Sequence, residues 1–115
     1  MIKLYGIKNC DTVKKARSWL ETNKIPYQFH DFRSEGLSET QVKAWLKTLG
    51  MDTLVNKRST TWKALDEATK AAFTESTAAP VIVANPTLIK RPLLETPTAT
   101  RVGFNATDYQ TLFSN

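Results

Sequence analysis

One cysteine, Cys10, sits in the run Tyr5-Gly6-Ile7-Lys8-Asn9-Cys10-Asp11-Thr12, where an alternating segment gives way to a helical one. Backbone amides at a helix start are unpaired and carry partial positive charge, which favours a thiolate over a thiol. The thiolate is the nucleophile, so this placement points to redox or thiol-transfer chemistry. The alternative is a small buried hydrophobe, because free cysteine is among the most buried residue types. Lys8, two residues before the sulfur, can bring positive charge to an anion, and Asn9 can shape the turn or donate a hydrogen bond. Both also read as solvated loop residues. Asp11 opposes a thiolate unless its carboxylate faces the helix amides as a cap. The Thr12 hydroxyl reads first as a helix cap and second as a donor to the sulfur. His30 reads as a half-exposed strand residue rather than a base for Cys10.

The elements that must position this sulfur follow from periodicity. Residues 1–5 alternate apolar and polar, a short strand. From Thr12, Val13, Ala16, Trp19 and Leu20 share one helical face, and Asn23 with Pro26 ends it. Tyr27 to Phe32 reads as a second strand, so a β-α-β unit with a parallel pair is expected. Next comes a capping box, Ser38 with Gln41, opening a helix through Val42, Trp45, Leu46 and Leu49 that stops at Gly50. Short helices are expected at about 52–56, from the Thr60-Thr61 cap pair through Leu65, and at 67–73. The stretch 76–85 is open: Val81-Ile82-Val83 favours strand, while Pro80 near a helix start would suit a helix. A strand after Pro92, a turn at Thr96-Pro97-Thr98, a partner strand from Arg101 to Phe104 and a closing helix over about 106–113 complete the chain. Asn105 or Thr107 is its expected cap. The fold class is α/β: a thioredoxin-like mixed sheet, β-α-β then β-β-α, with an inserted helical subdomain at about 37–85 in a single domain of residues 1–115. The three tryptophans read as core anchors of the insertion.

Composition narrows the function classes. A chain of 115 residues can bury a real core without disulfides, and one cysteine can make none internally. A four-cysteine zinc site is excluded, and a single histidine argues against a cysteine–histidine metal cluster. No metal and no resident cofactor are expected. The start turns polar at once, and no apolar run approaches the roughly 20 residues that cross a bilayer. A cytoplasmic, soluble monomer with a reduced thiol and no membrane partner is therefore expected. The 16 basic residues outnumber 11 acidic ones, giving +5, yet they are spread along the chain without a block or an aromatic platform. Nucleic acid is a poor fit for that distribution; a positive pocket for a small anion is a better one.

Three segments together, Tyr5-Gly6-Ile7-Lys8-Asn9-Cys10-Asp11-Thr12, Lys57-Arg58-Ser59-Thr60-Thr61-Trp62 and Ile89-Lys90-Arg91-Pro92, resemble the arsenate reductase-like family (ArsC/Spx type), in its small bacterial YffB-type branch. The resemblance covers essentially the whole chain and implies the thioredoxin-like fold with its helical insertion. It implies that Cys10 is a catalytic nucleophile, resolved by glutathione and glutaredoxin. It implies that Arg91 binds an anion and that Pro92 is cis and faces the cysteine; the alternative for Arg91 is a surface pair with Glu95. Arsenate reductases of the family use three arginines around the oxyanion. Here the first position holds Asn56, with Arg58 two residues later. The third holds Phe104, with Arg101 three residues earlier. Arg58 and Arg101 are therefore substitute candidates, in a pocket less suited to arsenate itself. Spx-type relatives that dock on RNA polymerase often carry Cys-x-x-Cys, whereas Val13 stands at the second cysteine here. The expected activity is a glutathione-dependent thiol reductase acting on glutathione or a small oxyanion. The alternatives are a non-catalytic regulator that binds RNA polymerase and a true arsenate reductase.

Overall fold

A computed structural model describes residues 2–114. The chain begins with β1 (Lys3–Gly6), α1 (Asp11–Thr22) and β2 (Gln28–Asp31). Six helices follow: α2 (Phe32–Glu35), α3 (Glu39–Leu49), α4 (Met51–Leu54), α5 (Thr60–Ala64), α6 (Glu67–Ala71) and α7 (Ala78–Ala84). A 3-10 turn at Pro86–Leu88 leads to β3 (Leu93–Glu95), β4 (Thr100–Val102) and α8 (Ala106–Phe113). Two compact units result, one of residues 1–31 and 91–115, the other of residues 32–90.

In the first unit the strands form one mixed sheet in the order β2-β1-β3-β4. The pair β1–β2 is parallel because the α1 crossover lies between them, while β1–β3 and β3–β4 are antiparallel. This is the expected thioredoxin-like arrangement. Val13, Ala16 and Leu20 of α1 are fully buried at helical spacing, and Leu4, Leu94 and Tyr109 close the core over them. Trp19 belongs here rather than to the helical unit, half-buried edge-on to Tyr109 at 5.5 Å. β4 stops at Val102, short of the expected Phe104, because Gly103 takes φ +77 and turns the chain, its N–H donating to the Pro92 carbonyl at 2.9 Å. Asn105 is the cap of α8, its side chain accepting from the Asp108 N–H at 3.0 Å.

The second unit spans 32–90, more than the expected 37–85, because it begins with a helical turn that periodicity did not reveal. Phe32, expected in the second strand, instead opens α2 and is buried. The Ser38 cap of α3 forms as expected, Ser38 Oγ accepting from the Gln41 N–H at 3.1 Å. At α5 the cap is Ser59, not Thr60 or Thr61: Ser59 Oγ accepts from the Trp62 N–H at 3.1 Å. Thr61 instead shares a 2.6 Å hydroxyl–hydroxyl bond with Thr87. The ambiguous stretch is helical. Pro80 falls in the first turn of α7, where a missing N–H costs nothing, and Ala78, Ala79 and Ile82 are buried at helical spacing with α7 packed on α3. Burial outweighs the strand preference of Val81-Ile82-Val83.

Among the described residues one buried side-chain polar atom is unsatisfied. The Tyr109 hydroxyl is buried with no hydrogen-bond partner among the described residues, and burial pushes its pKa up. An unpaired buried hydroxyl costs about 1–3 kcal/mol. Tyr109→Phe should therefore raise unfolding free energy by about 1 kcal/mol in urea titration; an equal loss would mean the hydroxyl is paired in solution.

Candidate functional site

β1 leaves the sheet at Gly6, where the chain runs close under α1. A Cβ on Gly6 would lie 2.7 Å from Val13 Cγ2, a distance no real Cβ tolerates without movement. Glycine here lets the first turn of α1 settle onto the strand end. A tight turn follows, the Cys10 N–H donating to the Ile7 carbonyl at 3.4 Å, with Lys8 and Asn9 exposed at its tip.

Cys10 itself is the N-cap of α1, with extended backbone (φ −94, ψ 123) and its carbonyl accepting from the Lys14 N–H at 2.9 Å. That corrects two expectations: Thr12 lies inside the helix, exposed, and Asp11 opens the first turn, so neither is the cap. The Cys10 side chain makes no capping bond, and its thiol is free and partly exposed. A sulfur at the N-cap holds the place where a serine or aspartate oxygen would accept from the second or third helix amide.

Arg91 and Pro92 arrive at the same end of the sheet. The β1–β3 register sets Tyr5 against Leu93, so the residue before Leu93 enters where β1 runs out toward the cysteine turn. The Arg91–Pro92 peptide is cis, Pro92 is buried, and Arg91 is half-exposed. Among the described residues Arg91 has no ion pair; Glu95, its alternative partner, accepts from the Tyr5 hydroxyl at 3.3 Å. The arginine fork is thus unengaged among the described residues, as an anion ligand's must be.

Arg101 and Arg58, the other two candidate arginines, stand on β4 and in the 32–90 unit. Arg101 sits opposite Leu94 on the sheet face that carries α8, and its Nε lies 3.5 Å from Asp108 Oδ2. Its guanidinium is thus engaged in an exposed ion pair. Phe104 stands edge-on to Tyr109 at 4.9 Å, a core contact rather than an anion ligand. Arg58 belongs to the 32–90 unit, on the loop that follows Val55. His30 packs its ring 4.9 Å from that of Tyr5 on the neighbouring strand.

Sequence reasoning missed Asp31. It is the one buried charged residue among those described, 9% exposed, and it pairs with Gly6 at the end of β2. A carboxylate between His30 and Phe32 at the close of the second strand was the available signal. No group of three or more histidine, cysteine or acidic side chains could hold a metal ion among the described residues. None of the described helices is long and apolar enough to cross a membrane.

Sheet order, inserted helices and a cysteine at the first helix N-terminus define a thioredoxin-like fold. The chain belongs to the ArsC family, whose model matches residues 5–112. It is 47% identical over 114 residues to an uncharacterized protein of Haemophilus influenzae, covering 99% of this chain and all of that one. It is similar to a solved structure of a protein named YffB, with TM-score 0.95, 41% identity and coverage of 99% and 100%. It is also 32% identical over 107 residues to the global transcriptional regulator Spx of Listeria innocua, covering 91% of this chain and 81% of that protein.

Proposed function

We propose that this protein is a monothiol, glutathione-dependent disulfide reductase. The observation that carries the reading is a partly exposed, uncapped Cys10 at the N-terminus of α1 in a chain with no second cysteine. The Cys10 thiolate attacks the glutathione sulfur of a mixed disulfide, forming a Cys10–glutathione disulfide and expelling the substrate thiolate, which takes a proton from solvent. A second glutathione thiolate, or a glutaredoxin, then attacks that bond and returns the Cys10 thiolate. The net exchange converts the mixed disulfide and one free glutathione into the substrate thiol and glutathione disulfide. With valine at position 13, no internal thiol competes for the second step.

Arg91 supports the reading as the ligand for a glutathione carboxylate or a small oxyanion, its planar fork matching either. Asn56 and Phe104 in place of two arginines weigh against arsenate as the substrate. Turnover of a glutathione mixed disulfide, coupled to glutathione reductase, tests the proposal: steady turnover supports it, and none at millimolar glutathione overturns it. Arg91→Ala should raise KM for glutathione about tenfold, the loss expected for one charge-assisted contact.

The similarity to Spx favours a second reading, docking on RNA polymerase as a regulator. The two readings separate on one variant. Polymerase binding that survives Cys10→Ser, in a protein without turnover, would favour the regulator.

A further inference from the structure

In the unit of residues 1–31 and 91–115, α1 and the segment from β4 into α8 leave an open groove of about 400 Å³. Lys15, Ser18, Trp19 and Thr22 line it from one face of α1, and Phe104 lines it from the other element. Trp19 stands roughly 13 Å along the helix axis from Cys10, at about 1.5 Å per residue, so the groove is separate from the thiol.

Two large apolar rings open onto this groove, and the core holds both in place. Trp19 and Phe104 are only half-buried, although large apolar side chains gain most when sealed from water. Trp19 stands edge-on to the buried Tyr109 ring at 5.5 Å and 85°, and Phe104 does so at 4.9 Å and 89°. Phe113 braces Trp19 from a second side at 6.0 Å. The exposed parts of the two rings are therefore ordered before a ligand arrives, which lowers the entropy cost of binding against them.

The charge around these rings is one-sided. Among the described residues that line the groove, Lys15 is the one charged side chain and no carboxylate accompanies it. By contrast, the groove with Lys14 and Arg17 contains Glu21, and the groove with Lys43 and Lys47 contains Glu75. An ammonium group on the same helix face as an open tryptophan, with no acid beside it, sets Lys15 apart from those lysines.

We propose that this groove binds a flat aromatic monoanion of the aryl carboxylate class, independently of the Cys10 chemistry. An aromatic ring against Trp19 and Phe104 gains ring–ring contact beyond the area it buries. The Lys15 ammonium, on its flexible stem, meets the carboxylate, and the Ser18 and Thr22 hydroxyls offer further donors. One cation answers one negative charge, whereas a polyanion would bring more charge than the groove balances. An aliphatic acid would forfeit the ring contact.

Titration of the whole chain with naphthoate, followed by amide and indole N–H shifts, tests the proposal. Saturable one-to-one binding is expected, with the largest shifts at Trp19 and Phe104. Cys10→Ser should bind equally, so failure here is separable from failure of the thiol reading. Naphthylmethanol, which lacks the charge, and cyclohexanecarboxylate, which lacks the aromatic face, should each bind at least about fivefold more weakly. Lys15→Glu should weaken naphthoate binding about tenfold while the variant stays folded. Lys47→Glu, the same charge change in the 32–90 unit, should leave binding within about twofold. Trp19→Leu should lose about fivefold, and if it unfolds, the exposed Lys15 variant decides. No saturable shift at millimolar naphthoate would overturn the proposal, as would shifts centred away from Trp19 and Phe104. So would equal binding of either control compound, or a loss in Lys47→Glu as large as in Lys15→Glu.

Discussion

Cys10→Ser should abolish disulfide-exchange turnover by at least about a thousandfold, the scale on which losing a covalent nucleophile acts. The same change should leave the protein at least as stable. Cys10 is the N-cap of α1 and makes no capping bond, whereas serine is a preferred cap whose oxygen accepts from the second or third helix amide. A gain of up to about 1 kcal/mol in urea unfolding is therefore expected. Activity and stability move in opposite directions only if the sulfur is placed for chemistry rather than packing. A cysteine held as a buried hydrophobe would give the reverse pair, lost stability and unchanged turnover.

Gly6→Ala should destabilise the protein by about 1–3 kcal/mol, the range for forcing an added methyl into a packed site. The methyl would meet Val13 Cγ2 at 2.7 Å, and Val13 is fully buried in the first turn of α1. That turn also carries Cys10, so the strain should displace the sulfur and reduce turnover as well. Val13→Ala alone should cost stability through the cavity it leaves. The double variant Gly6→Ala with Val13→Ala should then be more stable than the sum of the single losses, by about 1 kcal/mol of coupling. Additive losses in urea titration would show that the glycine serves the backbone conformation and not the contact.

The parts of this molecule that local physics decides were legible before any coordinates. Alternation at residues 2–5 and helical spacing of Val13, Ala16 and Leu20 locate β1 and α1, and the turn between them locates Cys10. Ser38 with Gln41 and the stop at Gly50 bound α3 because a capping oxygen and a glycine are local signals. Resemblance to the family supplied the cis bond before Pro92, which no local pattern carries.

What was not legible depends on tertiary placement. Thr12 looked like a cap because threonine is a capping type and cysteine is not, yet backbone geometry gave the position to Cys10. Val81-Ile82-Val83 reads as strand until burial of Ala78, Ala79 and Ile82 settles the helix. Arg101 stands opposite Leu94 by strand register, and its ion pair with Asp108 follows from how α8 packs on the sheet. Asp31 is ordinary by type and informative only by its burial beside Gly6.

Reaction with glutathione disulfide, followed by intact mass in native buffer and in unfolding urea, tests the role of Cys10 most directly. A helix-terminal, solvent-reached nucleophile predicts one glutathionyl group on Cys10, reversed by reductant, gained faster in the folded protein than in the unfolded chain. A folded protein that stays unmodified, and reacts only once urea has opened it, would contradict that role.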